Sequence, residues 1–251
     1  IVTGAVSAAQ NIVKCVRRCG LEVNDLVLQP LASSYAVLSE DEKDLGVCLI
    51  DIGGGTTDIA VWTQGAIRHT SVIPIAGDQI TNDIAMALRT PTREAEDIKC
   101  KYGCALSQLA DVHQNIDVAG VDDRPSRSLS RRALADVIQP RVEELYELIQ
   151  NELRRAGFEE VLSSGIVLTG GASVMPGMVE LGEEIFHMPV RLGNPKYQGS
   201  LADVVQSPHF STSFGLLLEA QAQRKRGQKI QEKQGIKDVF SSMKDWFVKN
   251  F

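Results

Sequence analysis

The sequence predicts an α/β protein with a mostly buried sheet, and two observations carry that expectation. Apolar strand-like runs at 46–52 and 165–169 each end in consecutive glycines, while the segments around them repeat apolar residues at helical spacing. The composition agrees: 251 residues, 43% hydrophobic and 23% charged, are ordinary for a soluble α/β protein with a substantial core.

The first element is a helix over 7–20. Ser7 and Gln10 make an S-x-x-Q capping-box pattern, Ile12, Cys15, Val16 and Cys19 share a face, and Gly20 stops it. A short strand at 25–29 and a helix over 31–38, after Pro30, come next. The polar stretch 39–44 reads as a loop and a domain edge. Strand 46–52 then turns at Gly53, Gly54 and Gly55 into strands 56–63 and 66–74. A helix over 77–89 places Ile80, Ile84 and Leu88 on one face, and Thr90-Pro91 opens another over 91–102. Residues 105–128 are mixed, with a strand at 115–118. Helical stretches follow over 129–139 and 140–156, where Pro140 either kinks one helix or begins the second. Strand 165–169, helix 178–187, strand 190–192 and helix 212–222 complete the regular elements. Residues 223–235 have the composition of a linker.

The net charge of −6 argues against a nucleic-acid partner, which wants a basic face. Five cysteines (Cys15, Cys19, Cys48, Cys100, Cys104) are odd in number, lack C-x-x-C spacing and read as reduced, cytosolic core thiols. They do not cluster with His69, His113, His187 or His209, and none of these is assigned as a metal ligand. No apolar run approaches the roughly 20 residues of a spanning helix, and no signal peptide is visible. The chain begins with Ile1 inside an apolar run, so a fragment lacking its N-terminal part is expected.

The stretch L-I-D-I-G-G-G-T-T-D-I-A, residues 49–60, carries the chemistry. Asp51 ends a strand otherwise apolar enough to be buried, and a buried carboxylate must pair, bond or bind a metal. Asp58 lies on the return strand near the turn. Three glycines let backbone N–H groups converge on one anion with no Cβ in the way, and Thr56 and Thr57 add hydroxyls. A phosphate chain with Mg²⁺ held through waters to the carboxylates uses every one of these residues. The second glycine turn, I-V-L-T-G-G-A-S at 166–173, repeats the logic at another strand end, where α/β folds place ligands.

Together the two motifs resemble the actin, Hsp70 and sugar-kinase superfamily. D-I-G-G-G-T-T-D is similar to its second phosphate motif and I-V-L-T-G-G-A-S to its adenosine motif, in matching order and separation. The runs N-I-V-K-C-V-R-R-C-G-L, L-A-S-S-Y-A-V-L and G-V-C-L-I-D-I-G-G-G-T-T-D-I-A-V narrow the resemblance to the FtsA family of bacterial cell-division proteins. It implies an actin-like, ribonuclease-H-like ATPase lobe with a small α+β insert and a C-terminal amphipathic helix. It divides the chain into a remnant of the first lobe (1–44), the second-lobe core (45–90 and 159–222), the inserted subdomain (91–158), the linker (223–235) and the amphipathic helix (236–251).

The family role so implied is an ATP- and Mg²⁺-binding tether. It joins filaments of the GTPase FtsZ to the cytoplasmic face of the inner membrane at the septum, recruits other division proteins and self-associates into actin-like filaments. Asp51 would orient the metal's waters, and Asp58 would sit near the metal or the attacking water. Gly53, Gly54, Gly55, Thr56 and Thr57 would hold the β- and γ-phosphates, and Gly170, Gly171 and Ala172 would back the adenosine. Glu96 and Lys99 would approach ribose or base; a solvated i,i+3 pair is the plainer alternative. Gly77 opens a helix near the same cleft. The family's first phosphate loop and its characteristic subdomain belong upstream and are not in these residues. The chain alone is expected to bind ATP poorly and to lack measurable ATPase.

Two further segments imply partners. Ile236, Val239, Phe240, Met243, Trp246, Phe247 and Phe251 recur at helical spacing in the last 16 residues, an interfacial membrane helix by pattern. A terminal helix docked on its own domain is the alternative. Arg124, Arg127, Arg131 and Arg132 lie in the insert, where the family receives the FtsZ C-terminal peptide, and could steer an acidic segment; a solvated basic loop is the alternative. Another actin-like scaffold, such as a pilus-assembly ATPase, or a small-molecule kinase of the same superfamily are the rival functions.

Overall fold

The computed structural model describes residues 5–120, 125–199 and 201–226. Val27–Leu218 forms one compact unit, and the described parts of Ile1–Leu26 and Glu219–Phe251 belong to the other.

In the smaller unit, α1 spans Val6–Arg18. It starts one residue before Ser7, with Ala5 as an N-cap that makes no side-chain hydrogen bond, so the expected capping box does not form. None of its residues is buried, and Ile12 remains 57% exposed.

In the larger unit, α2 (Gln29–Val37) and α3 (Glu40–Leu45) precede the sheet. The expected strand at 25–29 does not form, since Pro30 in the first turn of α2 favours a helix start there. The expected loop at 39–44 is helical. Ser39 accepts from Glu42 N–H at 3.3 Å, and the Glu42 carboxylate accepts from Ser39 N–H at 2.7 Å. That capping box is written in the sequence as S-E-D-E.

The central elements are β1 (Val47–Ile52), β2 (Thr57–Thr63), β3 (Ala66–Ile73), α4 (Gly77–Leu88) and α5 (Thr92–Tyr102). A small ribbon, β4 (Asn115–Val118) with β5 (Arg127–Ser130), leads into α6 (Arg131–Arg155). Next come β6 (Ile166–Thr169), α7 (Met178–Phe186), β7 (Val190–Leu192), α8 (Ala202–Val205) and α9 (Ser211–Lys225). Strand β5 was not legible in the sequence. Helix α6 is continuous through Pro140. An interior proline costs about 3 kcal/mol, but eight side chains from Leu134 to Leu153 are buried along α6, and the aliphatic ones larger than alanine contribute about 1.5–3 kcal/mol each. Burial therefore outweighs the break. The expected core thiols divide: Cys48 and Cys104 are buried, while Cys15, Cys19 and Cys100 are exposed.

The main sheet runs β3-β2-β1-β6-β7. β1 pairs antiparallel with β2 and parallel with β6. Every residue of β1 is buried, as expected for a strand covered on both faces. Alternation splits its side chains. Cys48, Ile50 and Ile52 join the cluster containing Ile80, Ile84, Tyr146 and Phe186 from α4, α6 and α7. Val47 and Leu49 join Ala36 and Val37 of α2 and Phe214 of α9. The period of two puts Asp51 on the α2/α9 side with Leu49, and Asp58 on that side with Ala60.

Candidate functional site

Both glycine turns lie at one end of the sheet. Because β1 and β6 are parallel, with Asp51 opposite Thr169, the turn after Ile52 and the turn after Thr169 emerge side by side. This is the carboxyl end of the parallel strands, where open α/β sheets take ligands. Motifs whose first glycines are Gly53 and Gly170 in the sequence are thereby adjacent in the fold.

The first turn is closed by Gly53 N–H donating to Thr56 O at 3.0 Å. Gly54, Gly55 and Thr56 are exposed, and among the described residues no backbone carbonyl accepts from Gly54 or Gly55 N–H. The N-terminus of α4 docks on the same turn, Gly77 N–H donating to Gly53 O at 3.1 Å and Asp78 N–H to Gly54 O at 2.7 Å. The turn thus lies against the positive end of a helix dipole. A Cβ on Gly54 would come within 3.2 Å of Asp78 Oδ1, so a third carboxylate borders the turn. Thr57 is fully buried and its hydroxyl donates to Ile75 O at 2.7 Å. Its proton is spent inside the fold, which leaves Thr56 as the accessible hydroxyl of the pair.

Asp51 and Asp58 are cross-strand neighbours and both are buried. Burial raises the Asp51 carboxyl above the usual range, against the opposing hydrogen bonds from Ser33 and Thr212. Ser33 Oγ donates to Asp51 Oδ2 at 2.6 Å, and Thr212 Oγ1 lies 3.3 Å from the same oxygen. Burial, then the charge of Asp51, pushes Asp58 up to about 6.

The second turn completes the arrangement. Gly170 has φ +88, and a Cβ there would lie 2.4 Å from Ile52 O and 2.5 Å from Asp51 Oδ1. Only a bare Cα allows the two motifs to approach this closely. Ser173 Oγ donates to Gly170 O at 2.7 Å, fixing the 3₁₀ turn that follows. A Cβ on Gly77 would be 3.4 Å from Lys99 Nζ and 3.5 Å from the Ala172 Cβ, so Gly77, Lys99 and Ala172 meet at one point. Lys99 is buried, donating to Gly77 O at 3.0 Å and Thr81 Oγ1 at 2.8 Å and pairing with Glu96 at 2.6 Å. The pair is not a fully solvated one: Glu96 is half-exposed and Lys99 anchors it to the start of α4.

Of the other expected residues, Arg127 donates to Leu88 O, and Arg131 to Tyr102 O at 3.0 Å, so both brace the insert, while Arg132 is exposed. Arg124 and the tail residues Ile236, Val239, Phe240, Met243, Trp246, Phe247 and Phe251 lie outside the described residues. Sequence reasoning missed Ser33, Asp78 and Thr212. The signal for Ser33 was a serine pair inside the apolar helix L-A-S-S-Y-A-V; for Asp78 it was an acid directly after the glycine that opens α4.

Chemically, this end of the sheet offers the free N–H groups of Gly54 and Gly55 for a polyanion, with the α4 dipole behind them although its first two N–H groups are spent on Gly53 O and Gly54 O, and buried carboxylates for a divalent cation beside it. The residues fit such a pair of ligands: the glycine turns supply room that any Cβ would fill, and Asp51 with Asp58 supplies negative charge without a cationic partner of its own among their described contacts.

A family model described as "Cell division protein FtsA" matches residues 48–215. The chain is 66% identical to the FtsA of Pseudomonas aeruginosa over 218 residues, covering 87% of this chain and 52% of that protein. It is 50% identical to the FtsA of Neisseria meningitidis over 257 residues, covering 100% of this chain and 62% of that protein. The chain therefore spans between about half and three fifths of the length of these relatives. Among solved structures, MreB5 of Spiroplasma citri bound to ADP superposes with a TM-score of 0.73 at 17% identity, over 90% of this chain and 68% of that one. That likeness shows an actin-like fold.

Proposed function

The chain belongs to the FtsA family of cell-division proteins, and from that premise we propose that it carries the ATP-binding lobe of an actin-like tether. In this reading the whole protein links FtsZ filaments to the cytoplasmic face of the inner membrane at the septum. It self-associates into filaments and recruits other division proteins. The observation that carries the nucleotide part is the meeting of both glycine turns at the carboxyl end of β1 and β6, beside Asp51.

Each residue then has a task. Gly54, Gly55 and Thr56 donate to the β- and γ-phosphates, helped by the N-terminus of α4. Gly170, Gly171 and Ala172 leave room for adenosine, with Lys99 and Glu96 near the ribose. Mg²⁺, when bound, neutralises phosphate charge. Asp51 and Asp58 supply the negative charge that orients its waters.

The test is ATP titration of the full-length protein with and without Mg²⁺. Gly54→Val and Gly55→Val, which place side chains on the turn, are expected to lose binding while melting near the parent. Undiminished binding in both would remove the turn from the site. The tether part is tested separately. Deleting 236–251 should abolish liposome flotation, and a peptide from the FtsZ C-terminus should be retained by the full-length protein. Unchanged flotation, or no peptide retention, would overturn the corresponding role.

A further inference from the structure

Asp51 is held from two directions that the proposed role does not by itself require. On one side, Ser33 of α2 and Thr212 of α9 converge on a single oxygen. Ser33 Oγ donates to Asp51 Oδ2 at 2.6 Å, Thr212 Oγ1 approaches that oxygen at 3.3 Å, and the two hydroxyls are 2.9 Å apart. On the other side, Asp51 Oδ1 occupies the space that a Cβ on Gly170 would take. Asp51 is 4% exposed and Ser33 is fully buried, so water does not substitute for these contacts.

The hydroxyls are themselves fixed. Ser33 sits inside α2, whose inner residues are buried. Thr212 sits in the first turn of α9, and its neighbour Ser211 is 2.6 Å from Thr169 Oγ1, which in turn donates to Gly193 O at 3.0 Å. The start of α9 is thereby pinned to the end of β6. Two helices distant in sequence thus contribute one hydroxyl each to one carboxylate oxygen.

We propose that Ser33 and Thr212 are positioning residues, which fix the rotation of the Asp51 carboxylate so that it meets a divalent cation accompanying the nucleotide. The inference rests on the proposed nucleotide site. A carboxylate free to rotate must be ordered when the cation binds, whereas one held beforehand is not, so pre-organisation raises cation affinity and leaves cation-free nucleotide affinity alone. Neither hydroxyl is assigned a contact with phosphate or base.

The test uses full-length protein with Ser33→Ala, Thr212→Val, the double variant and the conservative Thr212→Ser. Two quantities are read: affinity for a fluorescent ATP analogue in EDTA, and the Mg²⁺ midpoint at saturating analogue. The double variant is expected to raise the Mg²⁺ midpoint by about tenfold or more, the low end of the ratio for losing a hydrogen bond to a charged group, with affinity in EDTA unchanged. Thr212→Ser should keep the parent midpoint. A merely structural pair would lower the affinity in EDTA as well as raise the midpoint, or melt the protein without moving the midpoint, and either result overturns the proposal. Parent protein that binds the analogue with no Mg²⁺ dependence would overturn the metal role of Asp51 itself. Parent that binds with Mg²⁺, and variants with an unmoved midpoint, would sink only the positioning role.

Discussion

Asp58→Asn should stabilise the protein in the absence of ligands. Asp51 and Asp58 face each other across an antiparallel pair, both buried, and like charges opposite one another are destabilising. Burial and then the charge of Asp51 raise Asp58 from 3.8 to about 6. Because the folded value is raised, the native state holds a proton that the unfolded state has released between these two values. Stability therefore falls as pH rises from about 4 to about 6, and stays low above that. Two units correspond to about 3 kcal/mol; halving this for solvent screening beside the exposed turn at 54–56 leaves about 1.5 kcal/mol. For a chain of this size that is a rise in melting temperature of roughly 3–6 °C. Urea and thermal melts in EDTA, at pH 4 to 8, read it directly. The variant should gain about 1.5 kcal/mol at pH 7.5 and converge with the parent near pH 4. A gain independent of pH, or none at pH 7.5, would refute the charge-pair reasoning.

Three other perturbations act on the geometry around the turns and on the capped α3. Gly170→Ala forces a Cβ to within 2.4 Å of Ile52 O at φ +88 and should cost about 3 kcal/mol in urea melts, with nucleotide binding lost as well. Lys99→Met takes the donor from Gly77 O, Thr81 and the half-exposed Glu96 and should cost about 1–3 kcal/mol in urea melts, and weaken ATP binding about tenfold by titration; unchanged affinity would remove Lys99 from the site. Arg191→Ala removes the partner that holds Glu42 2.7 Å away. Burial alone would raise Glu42, but hydrogen bonds from Arg191 and Ser39 lower it to about 2. That stability is present above about 4.5 and lost as pH falls towards 2, so the variant should lose about 1 kcal/mol at pH 7 and show a shallower acid limb in urea melts.

The sheet and the glycine turns were legible because their signals are local. A strand apolar but for Asp51, ending in three glycines, needs no knowledge of its neighbours. What distant partners decide was not. Pro140 reads as a break until α6 is seen to bury residues on both sides of it. The segment D-L-V-L-Q at 25–29 reads as a strand until the described sheets are seen to hold no partner for it. Ser39 and Glu42 were a missed local signal, a capping box written out in full. Ser33 and Thr212 could not be joined to Asp51 from sequence, since they stand 179 residues apart in the chain, on different helices.

The balance of charge around Asp51 argues for a ligand more strongly than the glycines do. A hairpin needs no carboxylate at either position, and apolar residues there would extend the cluster of Leu49 and Ala60 on the same face. The chain instead carries two buried acids side by side and supports one with hydroxyls, which bring hydrogen bonds but no charge. Lys99, which meets Gly77 and Ala172 at this end of the sheet, is paired with Glu96. A local rule broken without internal compensation is the mark of a functional site. What would compensate it is positive charge from outside the chain, and the pH dependence of Asp58→Asn, measured with and without Mg²⁺, tests that: the advantage of the variant should shrink when the cation and nucleotide are present.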